Sequence, residues 1–279
     1  MRKTSRLKAG LPAVCRLGLA TRGNTHLKPE DVEHAIDRGI NYLNWCGKPD
    51  GLSKTVADLG PQRKGVAVAV QFKASGANEA AREFDSILAR LKSDYLDVAT
   101  LYYVESEAEW QALIAPQGAW RTLARLTEQG ALRMIGLTSH QRKLAAGWAQ
   151  QVDAETGKRR LDMLMIRYNA AHRGAEHDVF PVTDALGTPV VTFTGLRWRD
   201  LLAGTADDPA GFAPPAAPDC YRFCLTNQSV GMALMAPGNR AELEQDLALL
   251  NDWTPLNRAE MQSIQAHGDR VRKNAREFW

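Results

Sequence analysis

Short apolar runs alternate with amphipathic segments from one end of the chain to the other, eight times over. A run of Val, Leu, Ile or Met bounded by turn residues reads as a strand buried on both faces, and each such strand followed by a helix reads as one unit of a parallel sheet. Strands are predicted at Val14–Ala20, Asn41–Trp45, Val66–Gln71, Leu96–Tyr102, Met134–Thr138, Met163–Arg167, Val190–Thr194 and Met232–Met235. Among the helices, Pro29 opens 30–38 before Gly39 closes it, and Asn78-Glu79 leads into 80–91. The segments 120–129 and 241–250 carry apolar residues at three- and four-residue spacing, which sends them to the outside of the sheet. The expected fold is α/β, a (β/α)8 TIM barrel. Two stretches break the count. From about Trp198 to Asp219, four prolines among Gly and Ala predict a long loop after the seventh strand, either functional or mobile. From about 257 to 278 a charged helix is appended, with His267 and its Arg and Lys neighbours on a solvated face.

Composition narrows this further. A chain of 279 residues, 44% hydrophobic, suits one barrel of roughly 250 residues, so 1–279 is read as a single domain with the barrel over about 14–250. The 35 basic and 32 acidic side chains are interspersed, which predicts no nucleic-acid partner. Arg2, Lys3, Arg6 and Lys8 read as a solvated tail. No apolar run approaches a membrane span or a signal-peptide core, so the expectation is a cytoplasmic protein with a small-molecule substrate and no membrane association. Cys15, Cys46, Cys220 and Cys224 lack metal-ligand spacing, and no metal is expected. Cys220 and Cys224 fall on one face of a helix, and core thiols are the simplest reading.

Barrels of this kind place their chemistry at the carboxy-terminal ends of the strands. There the chain supplies Thr21, Arg22 and Asn24; Asn44, Trp45, Cys46 and Lys48; Gln71 and Lys73; Tyr102, Tyr103 and Glu105; Thr138, Ser139 and His140. Alternation lets only one of Tyr102 and Tyr103 face the lumen. The sixth strand ends in Arg167-Tyr168-Asn169-Ala170-Ala171-His172-Arg173-Gly174-Ala175-Glu176. This cluster suits a carboxylate or phosphate, which a guanidinium grips through two parallel hydrogen bonds; it equally suits a helix-start network in which Glu176 pairs with Arg173. Substrate-binding candidates are Arg22, Trp45, Arg167, Asn169, His172 and Arg173. Cys46 acts as a nucleophile only if His140 or His172 serves as its base; otherwise it is an inert thiol.

Several local sequences carry a resemblance. Gly39-Ile40-Asn41-Tyr42-Leu43-Asn44-Trp45-Cys46 looks like the second barrel strand of aldo-keto reductases. Arg16-Leu17-Gly18-Leu19-Ala20 resembles their "LGLGT", and Tyr95-Leu96-Asp97-Val98 resembles "YLDL". Gln129-Gly130 with Arg133 to Ser139 resembles "GKVRxIGVSN", and Asn239 to Leu247 is similar to the nucleotide-binding "NPEQLEENL". These matches keep their order over about 14–250.

The resemblance implies an oxidoreductase that uses NADP or NAD on a small carbonyl or hydroxy compound. It also implies a catalytic tetrad of Asp, Tyr, Lys and His, at positions that hold Asn44, Pro49, Gln71 and Tyr102 here. In that family Lys and Asp lower the pKa of the Tyr that protonates the carbonyl oxygen, a route closed to this chain as written. Tyr102 becomes the candidate proton donor, with Asn44, Gln71 and Lys73 around the substrate oxygen. Its ordinary pKa of roughly 10 needs lowering, and Lys73 and Arg167 are the cations for that task.

Thr138-Ser139 stand where the family holds the nicotinamide carboxamide with Ser-Asn, Met165 where Gln assists, and Phe193 where an aromatic ring stacks. Glu242 falls on the Arg that pairs with a 2′-phosphate and Asp246 on the Asn that contacts adenine. The carboxylate disfavours a 2′-phosphate, whereas Arg240 supplies a nearby positive charge. A second reading competes: a barrel that has left hydride transfer for redox-neutral chemistry, or for binding a small acidic ligand through Arg22, Arg167, His172 and Arg173.

Overall fold

Eight strands close into a parallel barrel in chain order: Leu17–Ala20, Tyr42–Trp45, Ala67–Phe72, Leu96–Leu101, Leu132–Ser139, Met163–Arg167, Val190–Phe193 and Val230–Met235. The eighth pairs with the first, with Ala233 opposite Leu17. The computed structural model describes residues 1–9, 11–22 and 26–274, so Asn24 and the last residues of the expected terminal helix lie outside them.

Alternation along each strand separates two apolar assemblies. Tyr42, Ala67, Ala69, Val98, Met134 and Met163 fill the lumen, while Leu43, Trp45, Val68 and Val70 pack outward under the helices. Gly136 is a lumen position without room for a side chain: a Cβ there would lie 2.9 Å from Thr100 Cγ2 and 3.0 Å from Met163 Cγ.

The helices Pro29–Asp37, Ala77–Leu91, Ala119–Glu128 and Arg240–Leu247 lie within a few residues of their sequence signals. Two further helices start on side-chain caps: Asp50 accepts from the Ser53 backbone N–H ahead of Gly51–Asp58, and Ser106 accepts from Glu109 ahead of Glu107–Ile114. The long loop is shortened at both ends, by a 3-10 segment at Arg197–Leu202 and by the helix Ala217–Thr226, which buries Cys220 and Cys224. All four cysteines are buried and free.

Two expectations are corrected. The basic amino terminus is not a loose tail. Thr4–Ser5 pairs antiparallel with Val14–Cys15, Lys8 Nζ contacts Asp162 at 2.8 Å, and buried Leu7 and Val14 join the lumen cluster. The predicted first strand therefore divides at Arg16, whose guanidinium donates to the carbonyls of Leu225 and Val230. His267 is fully buried rather than solvated. Its helix, Arg258–Asn274, packs on the 3-10 segment, and Nε2 donates to Leu201 O at 3.1 Å. Among the described residues no helix is long and apolar enough to cross a membrane.

Asp97, fully buried, is the hub of the barrel's outer wall. Its carboxylate accepts from the Val68 N–H at 2.9 Å and meets Arg63 and Arg133 at 2.8 Å each. Truncating it strands a buried guanidinium, so Asp97→Ala is expected to cost about 3–5 kcal/mol. A urea unfolding midpoint unchanged by the substitution would refute that role.

Candidate active site

A cavity of about 370 Å³ opens at the carboxy-terminal ends of the strands. Thr21 and Arg22 enter it from the first strand, Asn44 from the second, Gln71 and Lys73 from the third, and Tyr102 from the fourth. Asn44 is buried, and among the described residues its Oδ1 has no hydrogen-bond partner; the same holds for Thr21 Oγ1 and for Thr138 Oγ1 at the end of the fifth strand, though Thr138 does not line the cavity. A buried oxygen left unpaired costs about 1–3 kcal/mol, which makes the Thr21 and Asn44 oxygens unusual features of the cavity wall.

Tyr102 and Tyr103 both line the cavity, against the alternation argument. The strand ends at Leu101, and Tyr103 turns through a left-handed backbone conformation, φ 50°. That turn stacks its ring 4.0 Å from the ring of Tyr102. Left-handed backbone in a non-glycine residue costs of order 1–3 kcal/mol and is tolerated where surroundings enforce it. The phenol of Tyr102 is not acidified. Burial, and then its neighbour Tyr103, push its pKa well above the usual tyrosine range. Lys73 Nζ stands 5.7 Å over the ring face rather than at the hydroxyl. Tyr102 is thus a protonated hydrogen-bond donor at any physiological pH.

Met165, Phe193, Glu242 and Asp246 line the same cavity. Ser139 Oγ accepts from the Gln141 N–H at 3.0 Å. Glu242 accepts from the Gly238 N–H at 2.9 Å and pairs with Arg199. These contacts hold its carboxyl below the usual range, the Gly238 N–H foremost. Arg199 was not singled out by sequence; Arg197, Trp198 and Arg199 all take positive φ, which swings its side chain across the cavity. Arg240 is not brought to the site. Its guanidinium meets Asp31 at 3.3 Å and Glu244 at 2.8 Å. Asp246 is 2% exposed, accepts from Tyr221 OH at 3.3 Å, and is pushed up to about 7, chiefly by burial.

The substrate candidates separate. Arg22 lines the cavity. Trp45 does not: with Asn44 facing the lumen, alternation turns the indole outward into the core, where Nε1 donates to Lys48 O at 2.7 Å. Asn169, fully buried, holds its own loop, donating to Thr194 O at 2.8 Å and accepting from the backbone N–H groups of Ala171 and His172. Arg173 clamps the loop to the terminal helix through Ala170 O, Gln265 O and Asp269. Glu176 pairs not with Arg173 but with Tyr168 OH, at 2.6 Å. His172 stays neutral, its pKa lowered to about 3 by burial and then by Arg167, Arg197, Arg272 and Arg142. Cys46 lines the cavity, but its Sγ contacts Asp50 at 3.9 Å rather than an imidazole, which leaves it an inert thiol.

Residues 17–210 match the family model described as "Aldo/keto reductase family". Solved structures share the fold. An aldo-keto reductase from Klebsiella pneumoniae in complex with NADPH is 19% identical, with 96% of each chain covered and a TM-score of 0.77. An aldo-keto reductase from Bacillus halodurans in its holo form is 16% identical over 96% of each chain, with a TM-score of 0.74. A putative aldo-keto reductase from Pseudomonas aeruginosa is 17% identical, covering 88% of this chain and 93% of its own, with a TM-score of 0.65. No curated protein matches the chain.

Asp246 makes stability depend on pH. A carboxyl whose folded pKa is raised to about 7 favours the folded state while protonated. That contribution is lost as pH rises from the unfolded carboxylate range through about 7. Asp246→Asn removes the burden. The variant is expected to gain on wild type by up to about 2–3 kcal/mol between about pH 5 and about pH 8.5. Urea midpoints at the two pH values check this; an equal difference at both refutes it.

Proposed function

The chain belongs to the aldo/keto reductase family, and from that premise we propose that it is a nicotinamide-nucleotide-dependent oxidoreductase acting on a small carbonyl compound, with Tyr102 as its proton donor. The observation that carries this is one cavity lined together by Phe193 and Met165, by Tyr102, Asn44, Gln71 and Lys73, and by Glu242 and Asp246. The residues fit such a nucleotide. Phe193 offers an aromatic platform in the cavity, and Asp246, half protonated near neutrality, can donate to or accept from an adenine edge. The Klebsiella pneumoniae relative, solved with NADPH, supports the same assignment.

When bound, a reduced nicotinamide supplies hydride to the carbonyl carbon. Tyr102 O–H donates to the carbonyl oxygen and passes it the proton. The raised pKa reduces the driving force, yet a phenol remains a stronger acid than the alcohol formed. Asn44 Oδ1, unpaired among the described residues, and the Gln71 amide orient the bound compound, and Lys73 over the ring face stabilises the negative charge that grows on the phenol. The redox-neutral reading draws on the arginines around His172.

Titration with NADPH, NADH and their oxidised forms, followed by nucleotide fluorescence or calorimetry, separates the two. Micromolar binding is expected, and none at millimolar nucleotide overturns the oxidoreductase. Tyr102→Phe is expected to lower turnover by about 10²–10⁴ with nucleotide affinity unchanged; full turnover removes Tyr102 from the proton-donor role. Glu242→Gln releases Arg199 and deletes the opposing carboxylate. It is expected to tighten NADPH relative to NADH by about tenfold; an unchanged ratio of dissociation constants shows that Glu242 does not set the preference.

A further inference from the structure

Past Phe193 the barrel mouth continues into a polar patch that the reductase reading leaves unused. Glu105 accepts from the His140 backbone N–H at 2.9 Å and lies 3.0 Å from Nδ1. With Nδ1–H directed at the carboxylate, Nε2 is left for another partner. The imidazole sits 4.7 Å from the ring of Tyr103 and 5.6 Å, edge to face, from Phe193, two rings that line the cavity. Register sets Arg167 at the same level. Ser139 pairs with Ile166 and Arg167 with Phe193, so His140 and Arg167 come to the same level at the barrel mouth, beside the residues that line the cavity.

Arg167 is half-buried and makes no hydrogen bond or ion pair among the described residues. The arginines around it are engaged: Arg142 with Asp178 at 2.8 Å, Arg173 with Asp269, Arg197 with Asp200. Arg197 is itself buried, and its Nε has no partner. A partly desolvated guanidinium without an acceptor leaves its donors to a ligand or to water. Burial, and after it the surrounding arginines with Arg167 first among them, keep nearby His172 neutral.

We propose that Arg167 and His140 form an anion subsite on the rim of the cavity, and that the carbonyl compound acted on carries a carboxylate: it is an oxo acid. Arg167 takes the carboxylate through parallel N–H bonds, and His140, when protonated, adds a third from Nε2. Tyr103 and Phe193 cover the carbon skeleton between the carboxylate and Tyr102. The reducible carbonyl rests on the reductase reading; the carboxylate subsite does not.

Calorimetry with phenylglyoxylate and with its methyl ester, on the protein without nucleotide, tests the subsite directly. The acid is expected to bind at least about tenfold tighter than the ester, with that margin lost in Arg167→Gln and partly kept in Arg167→Lys. Near-ultraviolet circular dichroism confirms that each variant is folded. His140→Gln is expected to weaken acid binding while leaving ester binding unchanged. Equal affinities for acid and ester, no binding of the acid at millimolar concentration, or full acid affinity in folded Arg167→Gln overturns the subsite. Full acid affinity in folded His140→Gln overturns the histidine's part. Acid binding without nucleotide binding sinks the reductase reading and keeps the subsite. Nucleotide binding without an acid preference does the reverse.

Discussion

The closure of eight parallel strands, last against first, is the constraint on which everything at the mouth depends. Once Ala233 sits opposite Leu17, every strand has a fixed level and a fixed inner face. The second strand can then offer Asn44 or Trp45 to the cavity but not both; it offers the amide and sends the indole into the core. The same registers set Arg167 beside Phe193 and make His140 its neighbour, although these pairs lie 26 and 27 positions apart in the chain. No local propensity brings those side chains together. The ladder does, and the outward packing of Leu43, Val68 and Val70 under the helices holds the ladder in place.

Burial decides which charges survive there. Tyr102, His172 and Asp246 all move toward their neutral forms, and for each the main cause is desolvation. Charge is kept where partners stand against it, as at Glu242 with the Gly238 N–H and Arg199. The mouth therefore holds several neutral donors and acceptors and few free charges. An incoming ligand meets low reorganisation cost at the neutral groups and a strong, localised demand at Arg167.

Much of the barrel was legible because its strands are dense in Val, Leu, Ile and Met and its helices are bounded by Pro and Gly. The parts that escaped lack a period. Two-residue strands such as Thr4–Ser5 have no alternation to detect, and their pairing with Val14–Cys15 is a tertiary fact. His267 lies in a charged helix whose buried face, with Ile264, Gly268 and Val271, is narrow enough to be masked by its Arg and Lys neighbours. The site was legible as a list of strand ends. What sequence could not supply was backbone handedness: positive φ at Tyr103 and at Arg197 to Arg199 redirects side chains that simple alternation sends elsewhere.

The same physics bears on the substitutions that the family resemblance assigns to the tetrad. An Asp and a Lys buried together form a compensated pair, and replacing only one of them strands the other charge at a cost of several kcal/mol. On that resemblance Asn44 and Gln71 stand at both positions as neutral amides, so the second and third strand ends keep their polarity without a buried ion pair. Tyr102 then has stacking and a cation over its ring but no ion pair at its hydroxyl. A phenol of that kind is always protonated and only weakly acidic. Under the proposed reading it would suit a carbonyl whose developing charge is shared with other donors, and a carboxylate held at the proposed subsite would fix that carbonyl without asking the phenol to bind it.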